Sequence, residues 1–204
     1  MTVQRFVALA NDITSKDLEI SNIPVPSLQV KQKSVQSVLA EFKLSTDKSI
    51  LALCPGAEYG PAKQWPARHY AALAKEKMSQ GWQVWIFGSQ KDYASGAQIN
   101  DILERQAINL CGKTELAQAI DLMSLSKTVV SNDSGLMHIA AAVGVPVIGL
   151  YGSSDPTFTP PLSDKATILD LNLSCSPCFK RECPLGTLAC LQDIHPEKVS
   201  EILT

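Results

Sequence analysis

Short continuous apolar runs alternate with segments of helical periodicity along most of the chain. The apolar runs predict buried strands, and the segments between them predict helices, one of which opens at Pro66 and closes at Gly81. A third helix is expected to take Thr114 as its N-cap. The predicted strands are 50–54, 82–87, 107–111, 127–131 and 147–151, and the predicted helices are 67–80, 93–105, 114–123 and 135–143.

This alternation favours a parallel sheet that is covered by helices on both faces, the doubly wound, Rossmann-like α/β class. Ligands of such sheets bind beyond the carboxyl ends of the strands. The loops at these ends are rich in glycine and small polar residues, which suits a nucleotide-like ligand. Glycines also occur there simply because the turns are tight, so the indication rests on their coincidence in every loop.

Residues 1–47 lack the alternation and contain only a short predicted helix over 35–42. We interpret this segment as a leader or the end of another domain rather than an independent core. The chain has 204 residues, of which 45% are hydrophobic, enough for one large domain or one domain and part of a second.

The charge pattern excludes several classes of partner. A net charge of −2 provides no general field for nucleic acid or an anionic bilayer, so an anionic ligand needs a local site. No apolar run is long enough to cross a bilayer, and the first residues do not resemble a secretory signal. We therefore expect a cytoplasmic protein that binds no nucleic acid.

The segment from Asn132 to His138 is the most informative candidate site. Asp133 and Ser134 precede a helix whose first N–H groups can receive a phosphate oxygen, and Gly135 permits a close approach. The alternative is an ordinary Asp or Ser N-cap with His138 in the core.

Lys63 follows the first predicted strand, where an ammonium group can face the same phosphates. The alternative is a solvated loop lysine. No Gly-x-Gly-x-x-Gly follows a strand, and Gly112-Lys113-Thr114 lacks the earlier glycine of a phosphate loop, which argues against dinucleotide oxidoreductases and phosphate-loop NTPases.

Four cysteines are crowded near the carboxyl end, at Cys175, Cys178, Cys183 and Cys190. The spacing permits a structural Cys₄ zinc site, but reduced thiols and disulfides remain open alternatives.

Several of these segments together resemble a known family. The strings 55–66, 88–92, 130–142 and 151–156 occur in the order found in the donor-binding half of the ADP-heptose:lipopolysaccharide heptosyltransferases, glycosyltransferase family 9. The cysteine-rich tail, 175–190, resembles the heptosyltransferase II branch of that family. The resemblance covers roughly residues 50–204.

The resemblance implies the C-terminal domain of an inverting, metal-independent glycosyltransferase of GT-B architecture, with ADP-heptose as the donor. Residues 48–204 would form this domain, and 1–47 would be the end of the N-terminal domain and the linker. The lipopolysaccharide inner-core acceptor and the general base would belong to that other domain. The reaction would take place at the inner face of the inner membrane, which the protein would touch only through the acceptor.

Matched residue by residue, the resemblance implies a role for Lys63 at the diphosphate, where it would stabilise the leaving group. It further implies that Asp133, Ser134, Gly135 and His138 surround the phosphates and heptose, that Glu58 and Tyr59 lie near the phosphate loop, and that Asp92 lies near the nucleoside. No cofactor is required beyond a possible structural zinc. Two alternatives remain: a non-catalytic nucleotide-sugar-binding module, and a GT-B enzyme with another donor.

Overall fold

The structure, a computed structural model, describes residues 1–10 and 23–203. Within these residues one parallel six-stranded sheet has the strand order β3-β2-β1-β4-β5-β6. The strands are β1 (Ile50–Cys54), β2 (Gln83–Ile86), β3 (Ile108–Asn109), β4 (Thr128–Asn132), β5 (Val147–Leu150) and β6 (Ala166–Leu169).

Helices connect these strands and cover the sheet. They are α1 (Thr2–Ala10), α2 (Gln32–Phe42), α3 (Ala67–Ser79), α4 (Tyr93–Ile102), α5 (Leu116–Met123), α6 (Gly135–Ala142), α7 (Ala189–Gln192) and α8 (Pro196–Ser200). Two short 3-10 turns, Pro61–Lys63 and Gln90–Asp92, lie in the loops after β1 and β2.

Successive residues of β1 face opposite sides of the sheet, as the period of a strand requires. Leu51 and Leu53 pack in the core that contains residues of α3, α4 and α8. Ile50 and Ala52 pack in the core that contains residues of α2, α5 and α6. Both faces are therefore buried, and the predicted doubly wound α/β class is confirmed.

The sequence pattern missed the one-turn helix α7 at the end of the cysteine-rich tail, and it missed β6 and α1, which lie at the margin of the fold. The edge strand β6 has Thr167 and Ile168 exposed, so it presents no continuous apolar run. Helix α1 is held by the backbone N–H of Thr2, which donates to the carbonyl of Phe158 (2.7 Å), and by Arg5, whose Cζ lies 4.9 Å from the centroid of that ring.

The expected N-cap of α5 is wrong by one residue. The helix begins at Leu116, and the side-chain oxygen of Gln118 accepts the backbone N–H of Glu115 (2.9 Å). A glutamine three residues into the helix satisfies a free amide of its first turn. Thr114 is thereby left outside the helix.

Strands β1 and β4 mark the point where the strand order reverses. Their residues pair up to Cys54 and Ser131, after which the chain from β1 runs toward β2 and the chain from β4 runs toward β5. Diverging loops leave a crevice at such a point, which is where ligands of open α/β sheets bind.

Helix α2 contributes to the same core as the sheet. Val35 and Val38 are each 5% exposed, and Val38 packs in the cluster that contains Ile50 of β1. The hydroxyl of Ser34 also donates to the carboxylate of Asp121 on α5. The domain boundary after residue 47 stays a prediction. Helix α2 precedes this boundary but packs against the sheet that follows it.

Across residues 1–10 and 23–203, no helix has the length and apolarity that a membrane span requires.

The packing of α2 predicts the effect of two matched substitutions. Val38→Ala should lower the free energy of unfolding by about 1–3 kcal/mol, because it removes two buried carbons and leaves a cavity. Val25→Ala, at a position 62% exposed, should change it by less than about 0.5 kcal/mol. Equal midpoints of urea unfolding for the two variants would show that α2 does not stabilise the core.

Candidate functional site

The loops after β1 and β4 bring a lysine and an aspartate together. Lys63 ends the 3-10 turn after β1, and Asp133 follows the last residue of β4. The Nζ atom of Lys63 lies 2.5 Å from Oδ2 of Asp133, and the side chains are 18% and 7% exposed. The two predicted residues thus form a largely buried ion pair at the reversal of strand order, and Lys63 is not a solvated loop lysine.

The N-terminus of α6 lies directly beside this pair. Ser134 precedes the helix in extended conformation, and no side chain of the described residues caps the first turn. The hydroxyl of Ser134 instead lies 3.2 Å from that of Ser131. The alternative of an ordinary Asp or Ser cap is therefore wrong, and the amides that open α6 keep the capacity to bind an anion.

His138 lies one turn into α6 and is partly exposed. Burial lowers the pKa of its imidazole, Asp133 acts in the opposite direction, and Lys63 lowers the pKa further. The ring is therefore neutral at pH 7, where it offers one donor and one acceptor. It also lines a cavity of about 500 Å³ between α1 and α6, so it is not a core histidine.

A second cavity, of about 470 Å³, opens on the other side of the α6 N-terminus. Its size falls within the usual range for small-ligand sites. Apolar side chains from α5 and α6 form one wall, and polar residues of the loops after β1, β2 and β3 form the rim. Its lining residues are Gly56, Ala57, Glu58, Gly88, Ser89, Asp92, Thr114, Leu116, Ala119, Ser134, Gly135, Leu136 and Ile139.

Asp92 has a structural role at the rim of this cavity. Its Oδ2 accepts the backbone N–H of Ser89 (2.8 Å) and the hydroxyl of Ser89 (2.7 Å). A Cβ on Gly56 would lie 2.4 Å from Oδ1 of Asp92, so a larger residue there would displace this carboxylate. The other acidic residue of the rim, Glu58, is exposed and forms an ion pair with Lys91 (2.5 Å).

Tyr59 faces the cysteine-rich tail rather than this cavity. Its hydroxyl donates to the carbonyl of Phe179 (2.9 Å), and its ring centroid lies 5.3 Å from Nζ of Lys63. The tail and Lys63 therefore both contact Tyr59, a proximity that the sequence does not reveal because more than a hundred residues separate the two segments.

Asn132 holds the Lys63 turn in place, a role the sequence analysis missed. Its side-chain oxygen accepts the backbone N–H of Trp65 (3.0 Å) and the hydroxyl of Tyr70 (3.0 Å). Its amide donates to the carbonyls of Pro55 (2.7 Å) and Gly56 (3.4 Å). Asn132 is fully buried, so these bonds join the end of β4 to the loop after β1 and to α3. The sequence signal that could have indicated this role is an asparagine at the end of an apolar strand.

The four tail cysteines are all free thiols. Hydrogen bonds from backbone N–H groups, chiefly that of Leu188, lower the pKa of Cys183, whereas burial raises the pKa of Cys190 to about 11. In the part of the chain that the structure describes, no group of three or more His, Cys, Asp or Glu residues is arranged to hold a metal ion. The disulfide alternative is not realised in the structure, and a zinc site stays a prediction that this arrangement does not support.

A sequence profile of glycosyltransferase family 9 (heptosyltransferase) matches residues 1–189. Lipopolysaccharide heptosyltransferase 2 of Salmonella typhimurium is 44% identical over 211 aligned positions, which cover 100% of this chain and 60% of that protein. The solved structure of the E. coli ADP-heptose lipopolysaccharide heptosyltransferase II is 41% identical, with a TM-score of 0.85 and coverage of 100% of this chain and 60% of that one.

A more distant likeness concerns the fold alone. The E. coli heptosyltransferase WaaC, solved with ADP, is 21% identical with a TM-score of 0.59, over 83% of this chain and 47% of that chain. The chain thus spans about 60% of the length of the two heptosyltransferase II relatives.

The Asn132 network predicts a large loss of stability on truncation. Asn132→Ala should lower the free energy of unfolding by about 2–4 kcal/mol, because it leaves buried donors and acceptors without partners. Asn109→Ala is the matched control, since that side chain is also buried but accepts only the N–H of Cys111 (3.0 Å) among the bonds described. Urea unfolding compares them, and an equal loss in both variants would contradict the bridging role.

The tail thiols should differ in reactivity, because the thiolate is the nucleophile. With iodoacetamide at pH 8, Cys183 should be alkylated faster than Cys190, whose raised pKa keeps it protonated. Peptide mass spectrometry over time measures both rates, and similar rates in the folded chain would contradict the assignment.

The same preparation is analysed for zinc. A zinc content near one equivalent per chain, with all four thiols protected from alkylation, would support the structural zinc site.

Proposed function

The chain belongs to glycosyltransferase family 9, and from that premise we propose that it is the donor-binding part of a lipopolysaccharide heptosyltransferase II. The donor is ADP-heptose, and the product carries L-glycero-D-manno-heptose on the inner-core heptose of lipopolysaccharide. The observation that carries this proposal is the Lys63–Asp133 pair beside the uncapped N-terminus of α6.

The donor diphosphate binds between Lys63 and the amides that open α6. Both groups supply positive charge, one as an ammonium and the other as the N-terminal end of the helix dipole. Gly135 is the first helical residue, and added atoms at its Cβ position meet nothing within 4 Å, so the backbone there is open to a ligand.

The nucleoside occupies the cavity of about 470 Å³ on one side of this anion site. Leu116, Leu136 and Ile139 supply apolar surface for a base, and the polar rim with Glu58 and Asp92 lies where ribose hydroxyls need partners. The nucleoside thus lies toward α5, and the heptose lies on the opposite side, where His138 and Asp133 face it.

Transfer breaks the bond between the anomeric carbon and the β-phosphate oxygen. The oxygen of an acceptor hydroxyl forms the new bond on the opposite face and gives its proton to the general base. The electron pair of the broken bond remains on ADP, so negative charge grows on the β-phosphate. Lys63 and the α6 amides stabilise this charge more strongly in the transition state than in the ground state. They supply the positive charge that a metal ion supplies in other transferases, and we propose that the reaction needs none.

Asp133 changes partner during this cycle. In the structure it neutralises Lys63, which keeps a charged lysine tolerable in a partly buried crevice. When the diphosphate binds, Lys63 turns to the phosphate and the carboxylate of Asp133 becomes free to accept hydrogen bonds from heptose hydroxyls. The neutral His138 offers these hydroxyls a further donor or acceptor.

The rest of the enzyme lies outside residues 48–204. We propose that 1–47 comprise the end of an N-terminal domain and the linker, and that this domain carries the general base and the acceptor surface. The acceptor is membrane-anchored lipopolysaccharide core at the cytoplasmic face of the inner membrane. A chain limited to residues 1–204 should therefore bind donor and turn over little by itself.

Calorimetry with ADP tests the donor site. The wild-type chain should bind ADP, and Lys63→Ala should weaken binding roughly 10- to 100-fold, because a hydrogen bond to a charged group contributes about 1.5–3 kcal/mol. Lys75→Ala, on the exposed surface of α3, is the control and should bind like wild type.

Lys63→Arg keeps the cation opposite Asp133 and should restore part of the affinity, which separates lost charge from lost folding.

UDP and GDP should compete poorly with ADP if the donor is ADP-heptose. Equal affinity of wild type and Lys63→Ala for ADP would remove the lysine from the donor site, and a preference for UDP or GDP would assign another donor.

A further inference from the structure

The two lysines at the proposed donor site are already neutralised by carboxylates. Lys63 pairs with Asp133 and Lys91 pairs with Glu58, each at 2.5 Å. A diphosphate that enters this site carries negative charge on both phosphates, and more develops as the sugar departs. If ADP-heptose is the donor, as proposed above, a cation that no carboxylate already neutralises adds to the attraction for this charge.

The cysteine-rich tail, residues 175–190, is fixed against the turn that carries Lys63. The carbonyl of Arg181 accepts the backbone N–H of Ala62 (3.0 Å), and the carbonyl of Phe179 accepts the hydroxyl of Tyr59 (2.9 Å). Gly60 permits this contact, since a Cβ there would lie 2.5 Å from the Arg181 carbonyl. Because the carbonyls of Phe179 and Arg181 are both bonded in this way, the backbone at Arg181 is held beside the turn that carries Lys63.

The anchored segment places the Arg181 guanidinium at the same aromatic ring as the lysine. Its Cζ lies 5.3 Å from the centroid of the Tyr59 ring, and Nζ of Lys63 lies at the same distance from that centroid. The two cationic groups are therefore no farther apart than twice this distance. Among the residues that the structure describes, Arg181 forms no ion pair, although the chain around it is exposed and contains Glu182.

We propose that Arg181, supplied by the cysteine-rich tail, is a second diphosphate-binding residue that contacts the β-phosphate together with Lys63. Tyr59 and Arg181 do not line the cavity assigned to the nucleoside, so Arg181 lies outside the part of the site that holds the base and ribose. This position assigns Arg181 to the terminal phosphate of ADP rather than to the one next to the ribose.

The chemistry of the guanidinium suits this position. Its planar fork binds two phosphate oxygens at once, and stacking on an aromatic ring keeps the fork oriented without an acidic partner. Arg181 thus provides the uncompensated positive charge that the Lys63–Asp133 pair lacks. The tail, whatever the state of its cysteines, then forms a wall of the donor site.

Calorimetry with ADP and with AMP tests this assignment on the full chain. Arg181→Ala should weaken ADP binding about 10-fold and leave AMP binding within about twofold, because only ADP has the β-phosphate. Arg181→Lys should recover part of the affinity for ADP. Lys180→Ala, which removes the neighbouring exposed cation, should leave both affinities unchanged.

Each outcome decides the matter. An equal loss of ADP and AMP affinity in Arg181→Ala, or a lowered unfolding temperature with no rescue by lysine, would assign Arg181 to packing on Tyr59 and overturn the inference. Unchanged ADP affinity in this variant, with normal binding by the wild type, would overturn the inference alone. Failure of the wild type to bind ADP would overturn the proposed function as well.

Discussion

The ion pair between Lys63 and Asp133 is the interaction on which the arrangement of the site depends. A lysine with 18% of its side chain exposed, and an aspartate with 7%, lose most of their hydration in the crevice. Each charge is tolerable there because the other is 2.5 Å away, and removal of one would leave the other buried and unpaired. The pair therefore keeps two charged side chains together in a crevice that would exclude either one alone.

The sheet determines where this pair forms. Because β1 and β4 are neighbours whose following loops diverge, residues far apart in sequence meet at one crevice. Asn132 fixes the position of the Lys63 turn relative to the end of β4. It is the last residue of β4, and its side chain binds the backbone of Trp65, two residues after the lysine. Packing of the fold and placement of the charged groups are thus set by the same buried side chain.

The carboxyl-terminal tail adds a second layer to the site. In a chain whose net charge is only −2, attraction for the proposed diphosphate must come from local cations. The sheet domain provides Lys63 and Lys91, which are already paired with carboxylates, and the tail places Arg181 at the ring of Tyr59. The tail has no helix or strand over residues 176–186, yet backbone hydrogen bonds hold it against the loop after β1.

Strong apolar runs were sufficient to predict the central strands and helices, because burial on both faces leaves a continuous pattern. Strand β1 has the predicted bounds, and the others of the central sheet shift by a few residues at their ends. The pattern failed at α1 and β6, where exposure removes the signal, and at α7, which is only four residues long. It also failed at the cap of α5, where Glu115 and Gln118 compete with Thr114. Local capping rules do not decide which of two adjacent residues becomes the N-cap.

The sequence by itself determined the fold class and the loops that carry the candidate residues, since periodicity and glycine placement are properties of neighbouring positions. Only the tertiary structure decided which charges meet: Lys63 with Asp133, Glu58 with Lys91, and Arg181 with the ring of Tyr59. Those pairings depend on the order of the strands and on where the tail folds back. A local residue pattern determines neither the strand order nor the place of the tail, because both result from the packing of the whole chain.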